Sequence, residues 1–292
     1  MVRPFIAVLL LLASSFAEER FHPVEKETIL QRLASAPLAN EDRQRALVEM
    51  FASVGCKPEL QPLMQSKLAN VICILPGETK DTIIVGGHFD KVERGKGIVD
   101  DWSGASMLPT LYESLSSQPR RHTFIFIGFA DEEKGLIGSQ YYVKQMSPGA
   151  RRHAKEMINL ECLGMNPTAV WSSHSDPKLL NALASVSQEM KIALKCINVE
   201  RVGTADSESF AAAKIPRTTI HSVDQKTLKI LHTDDDNMKA IHPDLYYESY
   251  RLIANYLAVV DDGFDRPEGG KPEDMKKVAS QPEPAKATAG SN

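Results

Sequence analysis

Four apolar stretches of this chain run directly into, or lead towards, residues that can carry charge. Thr82-Ile-Ile-Val-Gly-Gly87 leads into His88-Phe-Asp90, and Thr123-Phe-Ile-Phe-Ile-Gly-Phe129 into Asp131-Glu-Glu133. Met157-Ile-Asn-Leu160 ends on Glu161, and Arg217-Thr-Thr-Ile220 leads towards His232. Continuous runs of β-branched and aromatic residues suit strands covered on both faces, the condition of a parallel sheet. Segments of helical spacing separate them. The alternation predicts an α/β fold of three layers, a mixed and mostly parallel β-sheet with helices on both faces. Strands are expected over 70–75, 82–87, 123–129, 157–160, 169–172 and 217–221. Helices are expected over 25–34, 41–54, 104–117, 138–146, 177–190, 207–214 and 245–260, with a kink at Pro109 inside the third. Sites in open parallel sheets form at the carboxyl ends of strands, and here several such ends offer His, Asp or Glu.

Composition narrows the partners. Of 292 residues 42% are hydrophobic and 25% charged, with a formal net charge of −4. Collagen-like, coiled-coil and wholly disordered chains are excluded. Nucleic acid is not expected as a partner, because phosphate neutralisation needs a clustered basic surface, and Arg120–Arg121 and Arg151–Arg152 read as isolated, solvated pairs. Residues 1–17 read as a signal peptide, with Arg3 in the positive region, an apolar core from Phe5 to Leu12 and a Ser15-Phe16-Ala17 cleavage site. An apolar stretch of about 13 residues is too short to cross a bilayer. The chain is therefore expected to be exported, secreted or periplasmic, without a stable membrane span. Residues 265–292 have almost no large apolar side chain and read as a disordered tail, leaving one domain over 18–264. Of the four cysteines, none forms a C-x-x-C metal motif. Cys56 and Cys73 are the candidate disulfide pair, a pairing the sequence leaves open, and Cys162 reads as a buried thiol.

His and carboxylate side chains together are ligands for zinc or a similar cation. In His88-Phe-Asp90 the aspartate can accept the second ring N–H of the histidine and fix its tautomer; a local strand-end hydrogen bond is the plainer reading. In Glu132-Glu133 one carboxylate can bind metal while the other acts as a general base; two solvated carboxylates are the alternative. Asp100-Asp-Trp-Ser-Gly104 precedes a helix, and helix capping accounts for one of its aspartates but not for both.

Taken in order, Gly86-Gly-His88-Phe-Asp90, Asp100-Asp-Trp-Ser-Gly104, Asp131-Glu-Glu-Lys-Gly-Leu-Ile-Gly-Ser139, Ile158-Asn-Leu-Glu161 and Leu231-His-Thr-Asp234 resemble the co-catalytic zinc aminopeptidases of peptidase family 28, from about Asn70 to Asp261. The resemblance implies a zinc-exopeptidase-like sheet and two zinc ions per chain, bridged by Asp100. His88 and Glu161 would complete one site and Glu133 and His232 the other. Glu132 would be the general base, Asp90 the partner of His88, and Asp206 an acidic residue supporting the site. Members of the family can carry a cis peptide after the bridging aspartate, here Asp100–Asp101. The implied activity is hydrolysis of N-terminal amino acids from peptides with a free N-terminus, by a water activated between the zinc ions. Two departures stand out: Glu161 where the family often has aspartate, and Val202-Gly-Thr204 where some members place an oxyanion-stabilising tyrosine. The related glutaminyl-peptide cyclotransferases use a single zinc and an indole beside the last metal histidine, where this chain has Leu231. Carboxypeptidase or dipeptidase action stays open within the family, whereas a non-catalytic binding module would be expected to have lost ligands. His22, His122, His153, His174, His221 and His242 read as surface or locally bonded residues. Asp234-Asp-Asp236 reads as a solvated turn with one carboxylate free to orient His232, and Trp171, Tyr246 and Tyr247 as core.

Overall fold

The computed structural model describes residues 21–64, 66–199 and 203–263. The signal segment 1–17 and the tail 265–292 fall outside the described residues. In chain order the elements are α1 (Lys26–Ala34), α2 (Asn40–Ser53), β1 (Glu59–Pro62), β2 (Ala69–Leu75) and β3 (Thr82–His88). A tight turn over Ile98–Trp102 follows, then α3 (Ser103–Ala105), α4 (Met107–Ser116), β4 (Thr123–Phe129), α5 (Ile137–Gln145) and α6 (Pro148–His153). The chain continues with β5 (Ala154–Glu161), β6 (Ala169–Val170), α7 (Pro177–Met190), β7 (Lys195–Cys196), α8 (Ser207–Ala212), β8 (Arg217–His221) and α9 (Pro243–Asp261).

The eight strands form one sheet in the order β1-β2-β4-β3-β5-β8-β6-β7. Its centre is parallel, β3 pairing with β4 and β5, and β5 with β8. Antiparallel pairs flank it, β1 with β2, β2 with β4, and β6 with β8. Because side chains alternate across a strand, each central strand feeds two cores. Ile83, Val85, Phe124, Phe126, Ile158 and Leu160 join the core that includes Leu33, Leu47, Leu111, Leu183 and Leu257 of α1, α2, α4, α7 and α9. Ile84, Ile127, Phe129 and Met157 pack on the opposite face with Val143 of α5 and Phe210 of α8. The three-layer mixed sheet expected from the sequence is present, and it brings the carboxyl ends of β3, β4, β5 and β8 to one side.

The differences from expectation have local causes. β1 and the two-residue β7 were not anticipated, since both lie at sheet edges and neither has an apolar run; β1 ends on Pro62, a residue confined to edges or strand ends. The expected helix over 104–117 is broken between α3 and α4 at Ser106. Pro109 has no N–H to give the Ala105 carbonyl, and its ring crowds that oxygen. Arg120 is not a merely solvated residue. It donates to the carbonyls of Leu115, Ser116, Gln118 and Pro76, closing the end of α4 where helix carbonyls lack partners. Cys56 and Cys73 are joined as a disulfide with Cα atoms 6.3 Å apart, tying the segment after α2 to β2, and Cys162 is a buried free thiol. Among the described residues no helix is long and apolar enough to cross a membrane.

One buried acid makes stability depend on pH. Glu156, on β5, is 2% exposed, and its Oε2 finds no hydrogen-bond partner. Burial pushes its carboxyl from 4.5 up to about 8. Between those values the folded chain holds a proton that the unfolded chain has lost, so stability falls as pH rises through this window. Glu156→Gln removes that dependence. Each pH unit by which a titration is delayed is worth about 1.4 kcal/mol, so the variant should melt at least about 2–4 °C above the parent at pH 8 and show a smaller gap at pH 5. Thermal denaturation at both pH values checks this; an equal difference at the two contradicts it.

Candidate metal centre

The centre is assembled at the carboxyl ends of the central strands. His88 is the last residue of β3 and Glu161 the last of β5, while Glu132 and Glu133 follow β4. Asp100 comes from the Ile98–Trp102 turn, where it and Asp101 leave helical geometry (φ −110° and −129°) and are joined by a cis peptide. His232 reaches in from the loop after β8 in a left-handed conformation, φ 59°.

Asp100 is the shared member. Its Oδ1 lies 3.1 Å from His88 Nε2 and its Oδ2 3.1 Å from His232 Nε2. On one side His88 Nε2 is also 3.4 Å from Glu161 Oε1, and on the other His232 Nε2 is 3.0 Å from Glu133 Oε2. The expected ligands therefore gather as two half-sites around one carboxylate. Glu132 stands beside them, its Oε2 3.9 Å from His88 Nε2. The longer Glu161 side chain reaches the centre, and Asn159 Nδ2 donates to its Oε2 at 3.0 Å.

The surrounding groups hold this arrangement by their backbone bonds. His88 Nδ1 donates to the carbonyl oxygen of Asp90 at 3.1 Å, which turns Nε2 towards the centre. The Asp90 carboxylate lies farther from that ring, at 3.6 Å, and accepts instead from the backbone N–H groups of Glu132 (3.0 Å) and Glu133 (3.3 Å). Asp90 thus joins the ends of β3 and β4 as well as neighbouring the histidine. Asp101 Oδ1 accepts from the N–H groups of Gly104 (3.0 Å) and Cys162 (2.9 Å), tying the turn to the start of α3, while its Oδ2 has no hydrogen-bond partner and the carboxylate lies close to His88 and Glu161. A Cβ on Gly104 would fall 2.7 Å from the Leu160 carbonyl, so glycine is required there for α3 to approach the end of β5. Asp206 is fully buried at the start of α8, near enough for its charge to repel Glu132.

Two contributors were not legible. Asp236, taken as part of a solvated turn, is 2% exposed and accepts from the N–H groups of Val99 (2.7 Å) and Asp100 (3.3 Å). Its two neighbours in the run are not buried, and a triple aspartate gives no sign of which member turns inward. Arg43 of α2, far upstream, is fully buried and bonds to backbone carbonyls flanking the centre. His221, at a strand end beside Glu161, is a structural residue: its Nε2 donates to the Ile197 carbonyl at 3.0 Å, and burial takes it down to about 4. Val202, first of the three residues set against the family's oxyanion tyrosine, lies outside the described residues.

Comparison with known proteins gives the lineage. The model of peptidase family M28 matches residues 70–257, well over half of the chain. The chain belongs to peptidase family M28. An aminopeptidase of Bacillus subtilis, YwaD, is 26% identical over 211 residues, covering 68% of this chain and 44% of its own. Leupeptin-inactivating enzyme 1 of Streptomyces exfoliatus is 27% identical over 151 residues, covering 50% and 34%. The chain thus spans less than half the length of these curated relatives. Among solved structures, an aminopeptidase from an Aneurinibacillus strain superposes with a TM-score of 0.59 at 25% identity, over 65% of this chain and 47% of its own. The LapA aminopeptidase of Legionella pneumophila gives 0.71 at 18% identity, over 82% and 72%. An Acidobacteriales glutaminyl cyclase gives 0.64 at 14%, over 81% and 93%. The last two show the shared fold.

The donor set of this M28 chain fits zinc. Two imidazoles and three carboxylates are the nitrogen and oxygen ligands zinc takes. Bonds of about 2.0–2.1 Å in a tetrahedral site put donor atoms roughly 3.3 Å apart, close to the 3.0–3.4 Å separations here. The buried Glu133 Oε1 has no hydrogen-bond partner. The Cys162 thiol lies close to Asp100 and Glu161 and donates to Glu161 Oε1 at 3.6 Å, and burial with the adjacent carboxylates pushes it well up.

Electrostatics point the same way. Burial, then repulsion from Asp100, pushes Glu133 up to about 7. Hydrogen bonding to Asp100 raises His232 to about 9. Burial alone would lower His88, but Glu132 and bonds to Asp100, Asp90 and Glu161 carry it well above its ordinary value. Burial would raise Asp100, yet the two histidines hold it well below the usual carboxylate range. Protons therefore occupy the ligands at neutral pH and must leave when a dication binds. Zinc titration of the metal-free chain at pH 7 should release at least one proton per chain, and affinity should increase from pH 6 to 8. Calorimetry in buffers of different ionisation enthalpy reads this directly; proton-neutral, pH-independent uptake contradicts it.

Proposed function

We propose that this chain is an exported zinc aminopeptidase that removes N-terminal amino acids from peptides, with two zinc ions bound on either side of Asp100. His88, Asp100 and Glu161 would hold one ion, and His232, Asp100 and Glu133 the other. The observation that carries the reading is Glu132, a largely covered carboxylate 3.9 Å from His88 Nε2 that belongs to neither half-site. Zinc supplies Lewis-acid polarisation of the scissile carbonyl and lowers the pKa of a bound water.

Glu132 performs the proton transfers. Burial, opposed by His88 and reinforced by Asp206, Glu161 and Asp100, pushes its carboxyl up to about 9. Deprotonated in the field of the bound cations, this carboxylate would take a proton from the attacking water and return it to the leaving amine. The water oxygen bonds to the carbonyl carbon, the C–N bond breaks, and the proton parked on Glu132 passes to the amine nitrogen. Asp90 fixes the position of the base by holding the Glu132 and Glu133 backbone N–H groups.

The charge balance supports an N-terminal substrate. The charged groups turned to the centre are mainly carboxylates, which suit a free amine and repel a terminal carboxylate. A carboxypeptidase needs a cation for that carboxylate. Among the described residues the nearby candidates are Arg43 and Lys91, and their hydrogen bonds go to backbone carbonyls. A cyclase would be expected to use one zinc, whereas the His232–Glu133 half-site is as close-set as the other. The disulfide between Cys56 and Cys73 suits the oxidising compartment that export would provide.

Glu132→Gln keeps the shape and removes the base. With aminoacyl-anilide substrates the variant should lose about 10²–10⁴-fold in kcat, with KM and zinc content close to the parent. Cyclisation of glutaminyl peptides is followed in the same samples. Retained hydrolysis in the variant, or cyclisation without hydrolysis by the parent, contradicts the proposal.

A further inference from the structure

Arg43 lies upstream of the M28 match, which begins at residue 70, yet among the described residues it alone of the arginines and lysines is buried. Its side chain is fully inaccessible. Nε donates to the Pro37 carbonyl at 2.9 Å and Nη1 to the Phe89 carbonyl at 3.0 Å. Nη2 donates to the carbonyls of Lys96 at 2.5 Å and Gly97 at 2.9 Å. The guanidinium also stands over the ring of Trp102, 5.3 Å from its centroid. Phe89 lies between His88 and Asp90. Lys96 and Gly97 open the turn that delivers Asp100, and Trp102 closes it. One planar group therefore fastens the end of β3 to both ends of the Asp100 turn.

The charge matters as much as the shape. Burying a guanidinium without a bonded carboxylate is costly, and burial takes this one down to about 10. What favours the charged form is the field of Asp236, Asp90, Asp101 and Asp100, none in direct contact. The same positive charge eases the mutual repulsion of those carboxylates before any metal arrives. Lysine cannot replace it, having a point charge and no rigid fork of donors.

We infer that Arg43 is a positioning residue of the metal centre, its carbonyl clamp setting the spacing between His88 and Asp100 and so the metal affinity of their half-site. This rests on the two-metal reading above, and it adds an element from the helical layer before the catalytic core.

The test compares Arg43→Lys, Arg43→Gln and Leu47→Ala in the full chain. Leu47, one turn along the same helix, is buried in the core and makes none of the clamp's hydrogen bonds, and its truncation reports the effect of simply loosening α2. Metal-free proteins are titrated with zinc by calorimetry and with Co²⁺ by its visible absorption. Both Arg43 variants should lose about 10–100-fold in affinity at one of two sites, with an altered cobalt spectrum. Their kcat should fall while KM stays within about twofold. Leu47→Ala should melt lower but keep parental affinities and spectrum. Should Arg43→Gln not fold, Arg43→Lys carries the comparison. Arg43 variants that bind both metals like the parent, losing only melting temperature as Leu47→Ala does, overturn the inference while leaving the metal reading intact. A parent chain that takes up no zinc overturns both.

Discussion

The Asp100 carboxylate, held between His88 and His232 at 3.1 Å from each, is the contact on which the centre depends. Around it the fold concentrates Glu132, Glu133, Glu161, Asp90, Asp101, Asp206 and Asp236 against two imidazoles and one distant guanidinium. Such crowding of like charge at low dielectric is unfavourable unless protons or cations neutralise it. Without metal the protons do so, which is why Glu132 is pushed to about 9 and Glu133 to about 7. Divalent cations would replace those protons, and the same burial that makes the empty arrangement unfavourable would then favour binding. Stability, metal affinity and the basicity proposed for Glu132 are consequences of one charge balance.

The scaffold answers to that balance. Parallel strands β3, β4, β5 and β8 end together, so the side chains at those ends converge without long loops. The loops that remain are fastened by carboxylates acting on backbone N–H groups: Asp90 on the Glu132–Glu133 turn, Asp236 on the Asp100 turn, and Asp101 on α3 and Cys162. Several acids in the neighbourhood are thus structural, and the arrangement separates those that face the centre from those that hold them. Arg43 complements them from the opposite sign, acting on carbonyls where the aspartates act on N–H groups.

Much of this was readable from sequence because it rests on local pattern. The strands 123–129 and 217–221 fall where the apolar runs place them, and His88, Glu132, Glu133 and Glu161 could be nominated because each follows such a run. Asp100 and Asp101 could be singled out but not told apart by residue type; their roles depend on the direction each carboxylate takes in a turn that leaves helical geometry. Asp236 and Arg43 were hidden for a different reason. An aspartate in an acidic turn and an arginine in an amphipathic helix are ordinary surface residues by pattern, and only tertiary packing brings them to the centre. β1 and β7 were hidden because edge strands need no apolar run.

Zinc-edge anomalous diffraction from crystals grown with the metal tests the central claim most directly. The account predicts two peaks per chain, one within bonding distance of each Asp100 oxygen, the first also bound by His88 and Glu161 and the second by His232 and Glu133. A single peak on His88, with His232 turned away from Asp100, would contradict it.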